Sequence, residues 1–295
     1  MNASPMASRP SPLVSLKHYL ELVKFSHTIF ALPFALAAML VAAHGFPEWR
    51  IFGWIMAAMV GARTAAMGFN RIVDRQIDAA NPRTQNREIP AGKVSMRGAV
   101  ALVVGASLLF FFAAYEINNL AFYLSPITLV TLFFYSFCKR FTSLSHFVLG
   151  LCLGIAPVGA WVAVTGKIEL APCVLCAAIL VWVAGFDIIY ATMDAEFDAK
   201  AGLHSMVQKL GVPKALFFAK LLHAAFLALL FAFGLLANLG TLFSVAVALI
   251  GAFLIYEHAL VRPDDLRRVN AAFFTVNGVI SVFFLAVVAV SVFWK

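Results

Sequence analysis

Long apolar runs separated by short polar segments constrain this chain more than any other feature of its sequence. A helix needs roughly 20 predominantly apolar residues to cross the hydrocarbon core of a bilayer. Nine runs meet that length, at approximately 26–44, 51–69, 97–115, 119–137, 146–165, 170–189, 213–235, 239–258 and 273–294. Charged residues make up only 12% of the chain, about half their share in an ordinary soluble domain. The sequence therefore predicts an all-α, multi-pass membrane protein with nine transmembrane helices around a central cavity.

The distribution of lysine and arginine predicts how these helices are oriented. Loops rich in positive charge are retained on the cytoplasmic side of a membrane. Seventeen of the 22 lysines and arginines fall in the N-terminal segment and the even-numbered loops, and three fall on the opposite side. We therefore expect a cytoplasmic N-terminus. The formal charge of +8 follows from this bias and from attraction to anionic headgroups, and it gives little support to nucleic-acid binding.

The N-terminal residues differ from the rest of the chain. Charged residues precede the first apolar run, and no small-residue cleavage motif follows a short apolar segment. We expect no removable signal peptide. Residues 1–12 are predicted to be a disordered tail, and residues 13–295 a single transmembrane domain.

Two stretches of spaced acidic residues follow the second and the sixth predicted spans. Residues four apart on a helix share one face, where like charges repel each other. Ionisable groups at a membrane helix end are also costly when they are desolvated, so a compensating cation is expected. Mg²⁺ meets this need, because it binds one or two carboxylates and completes its shell with water and phosphate oxygens. The first stretch contains Asn70, Asp74 and Asp78, and the second contains Asp187, Tyr190, Asp194 and Asp198.

If these two faces oppose each other across a cavity, they would hold two or three Mg²⁺ ions around one diphosphate. Basic residues close to the stretches, Arg71, Arg75, Lys139 and Arg140, would bind the phosphate oxygens. Both stretches lie on the side predicted to be cytoplasmic. The sequence thus indicates a magnesium and diphosphate site at that side.

At these residues the sequence resembles the UbiA superfamily of intramembrane prenyltransferases. The first signature of that superfamily, N-x-x-x-D-x-x-x-D, is matched by Asn70, Asp74 and Asp78. The second, D-x-x-Y-x-x-x-D-x-x-x-D, is matched by Asp187, Tyr190, Asp194 and Asp198. The resemblance continues through the segments AGLHS and YSFCKR and covers essentially the whole chain. It implies nine helices with both motifs in cytoplasmic loops, in an integral protein of the bacterial inner membrane.

The resemblance also implies a reaction. A polyprenyl group would pass from a polyprenyl diphosphate to the ring of an aromatic carboxylate, with Mg²⁺ as cofactor, in quinone biosynthesis. The chain is most similar to 4-hydroxybenzoate polyprenyltransferases of ubiquinone biosynthesis, including a branch whose first helix carries a segment like KFSHTIFALPFA. Some enzymes of that branch prenylate 1,4-dihydroxy-6-naphthoate for menaquinone. The acceptor is therefore open between these two rings, and the sequence leaves prenyl length and oligomeric state open.

Roles for individual residues follow from the resemblance and from reach. Metal binding is expected of Asn70, Asp74, Asp78, Asp194 and Asp198. We expect Arg71, Arg75 and Lys139 to bind the diphosphate. We expect Arg63 and Arg140 to bind the carboxylate of the acceptor. Tyr190 would orient a carboxylate or face the allylic cation. Asp187 or the departing diphosphate would accept the ring proton.

The stretch from Asn81 to Lys93 is expected to form a cytoplasmic loop that closes over the site. Glu88 and Glu196 are expected to be solvated.

A transporter would place acidic residues near the middle of the membrane, whereas here they lie at helix ends. Membrane CDP-alcohol phosphotransferases carry a D-G-x-x-A-R-type motif that is absent here, and soluble prenyl diphosphate synthases lack this hydropathy.

Overall fold

The computed structural model describes residues 12–23 and 29–294, and the regular secondary structure of this part is entirely helical. The helices are α1 (Pro12–Leu22), α2 (Leu32–Ala42), α3 (Trp49–Val73), α4 (Arg75–Ala80), α5 (Met96–Ile117), α6 (Asn119–Cys138), α7 (Ser145–Thr165), α8 (Leu170–Ala191), α9 (Ala195–Lys200), α10 (Met206–Leu210), α11 (Val212–Leu236), α12 (Gly240–Leu260), α13 (Val269–Ala271) and α14 (Asn277–Phe293). A 3₁₀ turn at Thr192–Asp194 joins α8 to α9, and a π-helical turn at Ala272–Val276 joins α13 to α14.

Eight of the described helical segments are long and apolar enough to cross a membrane. They correspond to the second through ninth apolar runs, and they confirm the prediction of an all-α, multi-pass membrane protein. Within the first run, α2 is an apolar helix of 11 residues, and residues 26–28 of that run lie outside the described part. The first span, and with it the count of nine, therefore stays a prediction, as do the cytoplasmic N-terminus and the central cavity. The predicted tail also lies outside the described residues, except for Pro12, which begins α1.

Large apolar side chains cover the outer surface of the bundle. Ile127 and Val130 on α6 are 65% and 68% exposed, and Ile255 on α12 is 74% exposed. Soluble monomers rarely expose contiguous apolar surface on this scale, because water would be ordered around it. These faces are suited to contact with lipid tails.

Glycines allow neighbouring helices to approach each other closely. A Cβ atom at Gly154 on α7 would lie 2.7 Å from the carbonyl oxygen of Cys176 on α8, and one at Gly150 would overlap the carbonyl oxygen of Leu180. In lipid there is no hydrophobic driving force between helices. Small residues at helix contacts stabilise them instead by allowing close backbone packing. This contact fixes α7 against α8, the helix that carries Asp187 and Tyr190 of the second acidic stretch.

An aromatic cluster joins helices that are far apart in the sequence. The ring of Phe34 on α2 lies 5.1 Å from the ring of Trp182 on α8 and stacks at 4.5 Å on Phe284 of α14. Trp182 also stacks on Phe226 of α11 at 5.6 Å. All four side chains are almost completely buried. Aromatic pairs of this kind add to the stabilisation from buried area, and here they hold the middle of α8 in place.

Candidate active site

The first motif lies where α3 gives way to α4. Asp74 interrupts the helix with φ −87° and ψ 2°, yet its amide still donates to the carbonyl of Asn70 (2.9 Å), and the amide of Asp78 donates to the carbonyl of Asp74 (2.8 Å). The helical register therefore continues through the break. The Asn70 side-chain amide donates to Oδ2 of Asp74 (3.1 Å), so these two motif residues lie on one face, as their spacing predicts.

Two cations from the end of α6 hold the Asp74 carboxylate. Lys139 Nζ donates to Oδ2 at 2.5 Å, and the Arg140 guanidinium donates to Oδ1 at 2.9 Å. Arg140 also donates to the carbonyl of Val73, the last residue of α3 (3.1 Å). Asp74 is only 3% exposed, and a buried carboxylate is stable as an anion only when it is paired in this way. The YSFCKR segment is thus bound directly to the first motif.

Asp78 is equally buried and has a different set of partners. Arg87 donates to its Oδ1 at 2.7 Å, and the Arg71 guanidinium lies 3.9 Å from its Oδ2. Oδ2 itself has no hydrogen-bond donor among the described residues. A buried carboxylate oxygen without a donor is costly, and it leaves a coordination position for a cation.

The second motif also lies at a change of helix type. Asp194 ends the 3₁₀ turn after α8 and accepts hydrogen bonds from Asn81 Nδ2 (3.1 Å) and from the Arg83 guanidinium, through Nε at 2.8 Å and through a second, shorter bond. Arg83 also donates to the hydroxyl of Tyr190 (3.0 Å). Burial opposes the charge of Arg83, but the hydrogen bonds to Asp194 and the electrostatic interactions with Tyr190, Asp194 and Asp78 together outweigh it and raise the pKa of Arg83. Arg83 therefore remains a cation at every working pH.

The loop between α4 and α5 connects the two motifs. Arg87 of this loop binds Asp78 of the first motif, and Arg83 binds Asp194 of the second. Lys139 makes a further connection, because it bonds to Asp74 and interacts electrostatically with Asp198. Both motifs thus meet at one end of the bundle. The stretch predicted to close over the site contacts it through two arginines.

Asp187, the first acid of the second motif, faces α7 and not the arginine loop. Its Oδ2 lies 2.6 Å from Nδ1 of His146, a buried residue on α7. His146 Nε2 accepts a hydrogen bond from the backbone amide of Met206 (3.3 Å). Asp187 is therefore held by a neutral donor, whereas Asp74, Asp78 and Asp194 are held by cations.

The other arginines predicted for the site differ in where they lie. Arg63 is half-buried on α3, two turns before Asn70 and on nearly the same helical face. Arg75 donates to the carbonyl of Ile72 (3.1 Å) and lies exposed, so in this arrangement it points away from the carboxylates. Arg71 is 4% exposed and contacts the side-chain oxygen of Asn70 at 3.5 Å.

The side chains of the two motifs are of the kind that binds Mg²⁺. The two motifs offer only oxygen ligands, carboxylates and one amide, which is the chemistry that Mg²⁺ prefers. Within the described residues, no three His, Cys, Asp or Glu side chains converge closely enough to hold a metal ion. Three motif aspartates are each paired with an arginine or a lysine. Oδ2 of Asp78 accepts no hydrogen bond among the described residues and is therefore the first candidate ligand atom.

Sequence reasoning missed several residues of this site. Arg83, Arg87 and His146 each bond to a motif aspartate, yet none lies within either motif. The only sequence signal for the arginines was their place in a charged loop between two spans. The prediction that Glu88 is solvated was wrong. This residue is 6% exposed, because its carbonyl accepts the amides of Lys93 and Val94 and the loop folds inwards beside it.

The fold and the site together define a membrane-embedded enzyme with two aspartate motifs joined by basic residues. The sequence matches the UbiA prenyltransferase family over residues 31–289. The chain therefore belongs to the UbiA prenyltransferase family and is a membrane prenyltransferase.

Relatives named 4-hydroxybenzoate octaprenyltransferase match nearly the whole chain. The 4-hydroxybenzoate octaprenyltransferase of Nitrosospira multiformis is 30% identical over 276 residues, which is 92% of this chain and 95% of the relative. The enzyme of the same name from Saccharophagus degradans is 30% identical over 292 residues, which is 97% of each chain.

Solved structures agree with the fold. The apo structure of a UbiA homolog from Aeropyrum pernix K1 is 37% identical, with a TM-score of 0.81, and the match covers 90% of this chain and 97% of that one. A UbiA homolog from Archaeoglobus fulgidus, bound to GPP and Mg²⁺, is 21% identical, with a TM-score of 0.76 over 93% of this chain and 99% of that one. At that identity the second likeness concerns the fold alone.

Proposed function

We propose that this enzyme transfers a polyprenyl group from a polyprenyl diphosphate to the ring of 4-hydroxybenzoate, with Mg²⁺ as cofactor. The observation that carries the proposal is the meeting of both aspartate motifs at one end of the bundle, connected through Arg83, Arg87 and Lys139. The relatives named 4-hydroxybenzoate octaprenyltransferase support the acceptor. The Archaeoglobus fulgidus homolog bound to GPP and Mg²⁺ supports the donor and the cofactor.

The oxygen ligands of the two motifs would hold the metal. When bound, Mg²⁺ supplies Lewis-acid stabilisation of the departing diphosphate. The residues that would hold it, directly or through water, are Asn70, Asp74, Asp78, Asp194 and Asp198. Asp78 offers the oxygen that has no hydrogen-bond donor, and it is the first ligand that we assign.

The basic side chains that now neutralise the aspartates bind the diphosphate of the donor. Arg83, Arg87 and Lys139 lie within hydrogen-bond distance of motif carboxylates, so small side-chain rotations bring them to phosphate oxygens at the same place. Arg71 and Arg75 supply further positive charge at the edge. Their positions stabilise the negative charge that develops when the C1–O bond breaks.

Bond formation follows on the prenyl carbon. The allylic cation left by diphosphate departure faces the aromatic ring of Tyr190, which tolerates positive charge. Arg63 and Arg140 bind the acceptor carboxylate and hold the ring carbon ortho to the hydroxyl against the cation. A carbon–carbon bond forms, and the ring loses its proton to Asp187 or to the departing diphosphate, which restores aromaticity.

We extend the proposal to the organisation of the chain. Residues 13–295 form one transmembrane prenyltransferase domain, which is supported by the family match over residues 31–289 and by the aromatic cluster that joins α2 to α14. The protein resides in a bacterial cytoplasmic membrane, with its active site on the cytoplasmic side. The excess of lysine and arginine in the loops on that side supports this orientation.

An assay with purified protein in detergent tests the proposal. The reaction contains Mg²⁺, a radiolabelled polyprenyl diphosphate and either 4-hydroxybenzoate or 1,4-dihydroxy-6-naphthoate. We expect a prenylated product with 4-hydroxybenzoate that disappears with EDTA and in Asp78→Asn. Absence of product with both acceptors would overturn the reaction. Product with the naphthoate alone would overturn the acceptor and leave the chemistry in place.

A further inference from the structure

A buried polar pair lies inside the bundle, apart from both aspartate motifs. Glu257 on α12 and Asn277, the first residue of α14, are both 0% exposed. The side-chain amide of Asn277 donates to Oε1 of Glu257 at 2.8 Å. An ionisable group buried within a membrane protein is costly, and such residues are normally retained for function. Neither residue is used by the reaction described above.

Asn277 also contacts the π-helical turn that precedes it. Its amide nitrogen lies 3.1 Å from the carbonyl oxygen of Ala272 and 3.3 Å from that of Phe273. A π-helical turn is wider than an α-helical one, and such turns are frequent at functional sites. Asn277 therefore connects Glu257 to the turn at Ala272–Val276.

The turn leads to the active site. The ring of Phe273 lies 4.2 Å from the ring of Tyr190, the aromatic residue of the second motif. The hydroxyl of Tyr190 accepts a hydrogen bond from Arg83, whose guanidinium also lies over the Tyr190 ring at 5.3 Å and binds Asp194. A continuous series of contacts thus runs from the buried pair through Phe273 to a proposed metal ligand.

The hydrogen bonds around the pair indicate its protonation state. His223 Nε2 lies 3.2 Å from the carbonyl oxygen of Trp182 and must donate to it. Its Nδ1 lies 3.0 Å from Nε2 of His258 and 3.8 Å from Oε2 of Glu257, so its hydrogen-bond partner is His258 and the contact with Glu257 is too long for a hydrogen bond. His223 therefore provides no donor for Glu257. Glu257 Oε2 and Asn277 Oδ1 are both buried without a donor among the described residues. Protonation of Glu257 puts a hydrogen on Oε2, so that this buried oxygen no longer requires a donor.

We propose that Glu257 is a positioning residue, which pairs as a neutral acid with Asn277, fixes the π-helical turn and so holds Phe273 against Tyr190. The two rings form one wall beside the prenyl carbon, and this step rests on the proposed function. A wall held in place excludes water from the allylic cation. When the wall loosens, water captures the cation and the product is a prenyl alcohol in place of the prenylated ring.

The test is the partition between these two products. In Glu257→Leu we expect the ratio of prenyl alcohol to prenylated aromatic to rise at least about fivefold, because water exclusion at the reacting carbon is impaired. This ratio is independent of the amount of active enzyme, so a merely structural loss leaves it unchanged. Glu257→Gln retains both an acceptor and a donor for Asn277 and should keep the wild-type ratio. Ser281→Ala, a matched loss of a buried hydroxyl on α14, should also keep it.

Two results would overturn the proposal. One is an unchanged ratio of prenyl alcohol to prenylated aromatic in Glu257→Leu. If Glu257→Leu fails to fold, Phe273→Leu is measured in its place, and an unchanged ratio there overturns the proposal. The other is a Glu257→Gln protein that behaves like Glu257→Leu, which would refute the neutral acid. If the wild-type protein forms no prenylated product, the proposed function fails. The positioning role is then decided by hydrogen exchange, where the amides of Ala272–Val276 should exchange faster in Glu257→Leu than in Glu257→Gln, and equal rates would refute it.

Discussion

His146 Nδ1 lies 2.6 Å from Oδ2 of Asp187, and this contact joins α7 to the second motif. The backbone amide of Met206 donates to Nε2 of the same ring, which places the imidazole proton on Nδ1. His146 therefore donates to Asp187 as a neutral side chain. Because Met206 begins α10, the same ring also anchors the AGLHS segment that follows the motif.

Loss of this donor should slow the reaction. His146→Ala leaves the Asp187 carboxylate without its partner at Oδ2, and a hydrogen bond to a charged group contributes about 1.5–3 kcal/mol, or roughly 10- to 100-fold in kcat. His146→Asn can place an amide donor near the position of Nδ1 and should recover part of the rate. Steady-state kinetics of both variants measure this. Equal kcat in His146→Ala and the wild type would contradict the role.

The proposed metal ligands should be distinguishable from neighbouring acids. Asp78→Asn and Asp198→Asn remove carboxylate charge from the two motifs, and we expect kcat/KM to fall at least roughly 100-fold, the magnitude typical of losing a charge-stabilising group at a reacting centre. Glu196→Gln is the matched control, because Glu196 is exposed on α9 beside Asp198. Rates measured across a Mg²⁺ titration test this. A Glu196→Gln enzyme as impaired as Asp198→Asn would remove the distinction.

Arg83 should compete with Mg²⁺ for Asp194. The guanidinium occupies both carboxylate oxygens and, with its pKa raised by that contact, stays charged. In Arg83→Gln the Mg²⁺ concentration for half-maximal activity should fall by about 3- to 10-fold, the scale of a coupling free energy near 1 kcal/mol. Arg267→Gln, which breaks an exposed ion pair with Asp265, is the control. An unchanged midpoint in Arg83→Gln would contradict competition.

Arg63 should act on the acceptor and not on the diphosphate. Truncating one partner of a buried charge pair costs about 2–5 kcal/mol, so Arg63→Ala should raise the acceptor KM by roughly 30-fold or more while the KM for the prenyl diphosphate stays near its original value. Arg50→Ala, at the other end of α3 in a pair with Glu116, is the control. Equal increases in both KM values would exclude Arg63 from the acceptor site.

The sequence predicts some of the structural features behind these expectations and does not predict others. Local periodicity was enough to predict the membrane helices and the common face of Asn70 and Asp74, because both depend on residues one turn apart. The roles of Arg83 and His146 depend on loop and helix packing across 111 and 41 residues, for which a single sequence carries no signal.

Other details of the structure were also beyond reach of the sequence. The helix break at Asp74 and the π-helical turn are local departures from a regular pattern, and tertiary contacts stabilise both. The burial of Glu88 follows from the fold of its loop, which composition alone could not reveal.

The α7–α8 contact provides a prediction about stability that is independent of the chemistry. A methyl group at Gly150 would overlap the carbonyl oxygen of Leu180, whereas one at Gly159, on the same helix, meets nothing within 4 Å. Overpacking at a tight contact costs about 1–3 kcal/mol, so Gly150→Ala should lower the thermal midpoint measured in detergent and Gly159→Ala should not. Because α8 carries Asp187 and Tyr190 of the second motif, Gly150→Ala should also reduce activity. Equal thermal midpoints for the two variants would show that these helices do not need this close approach.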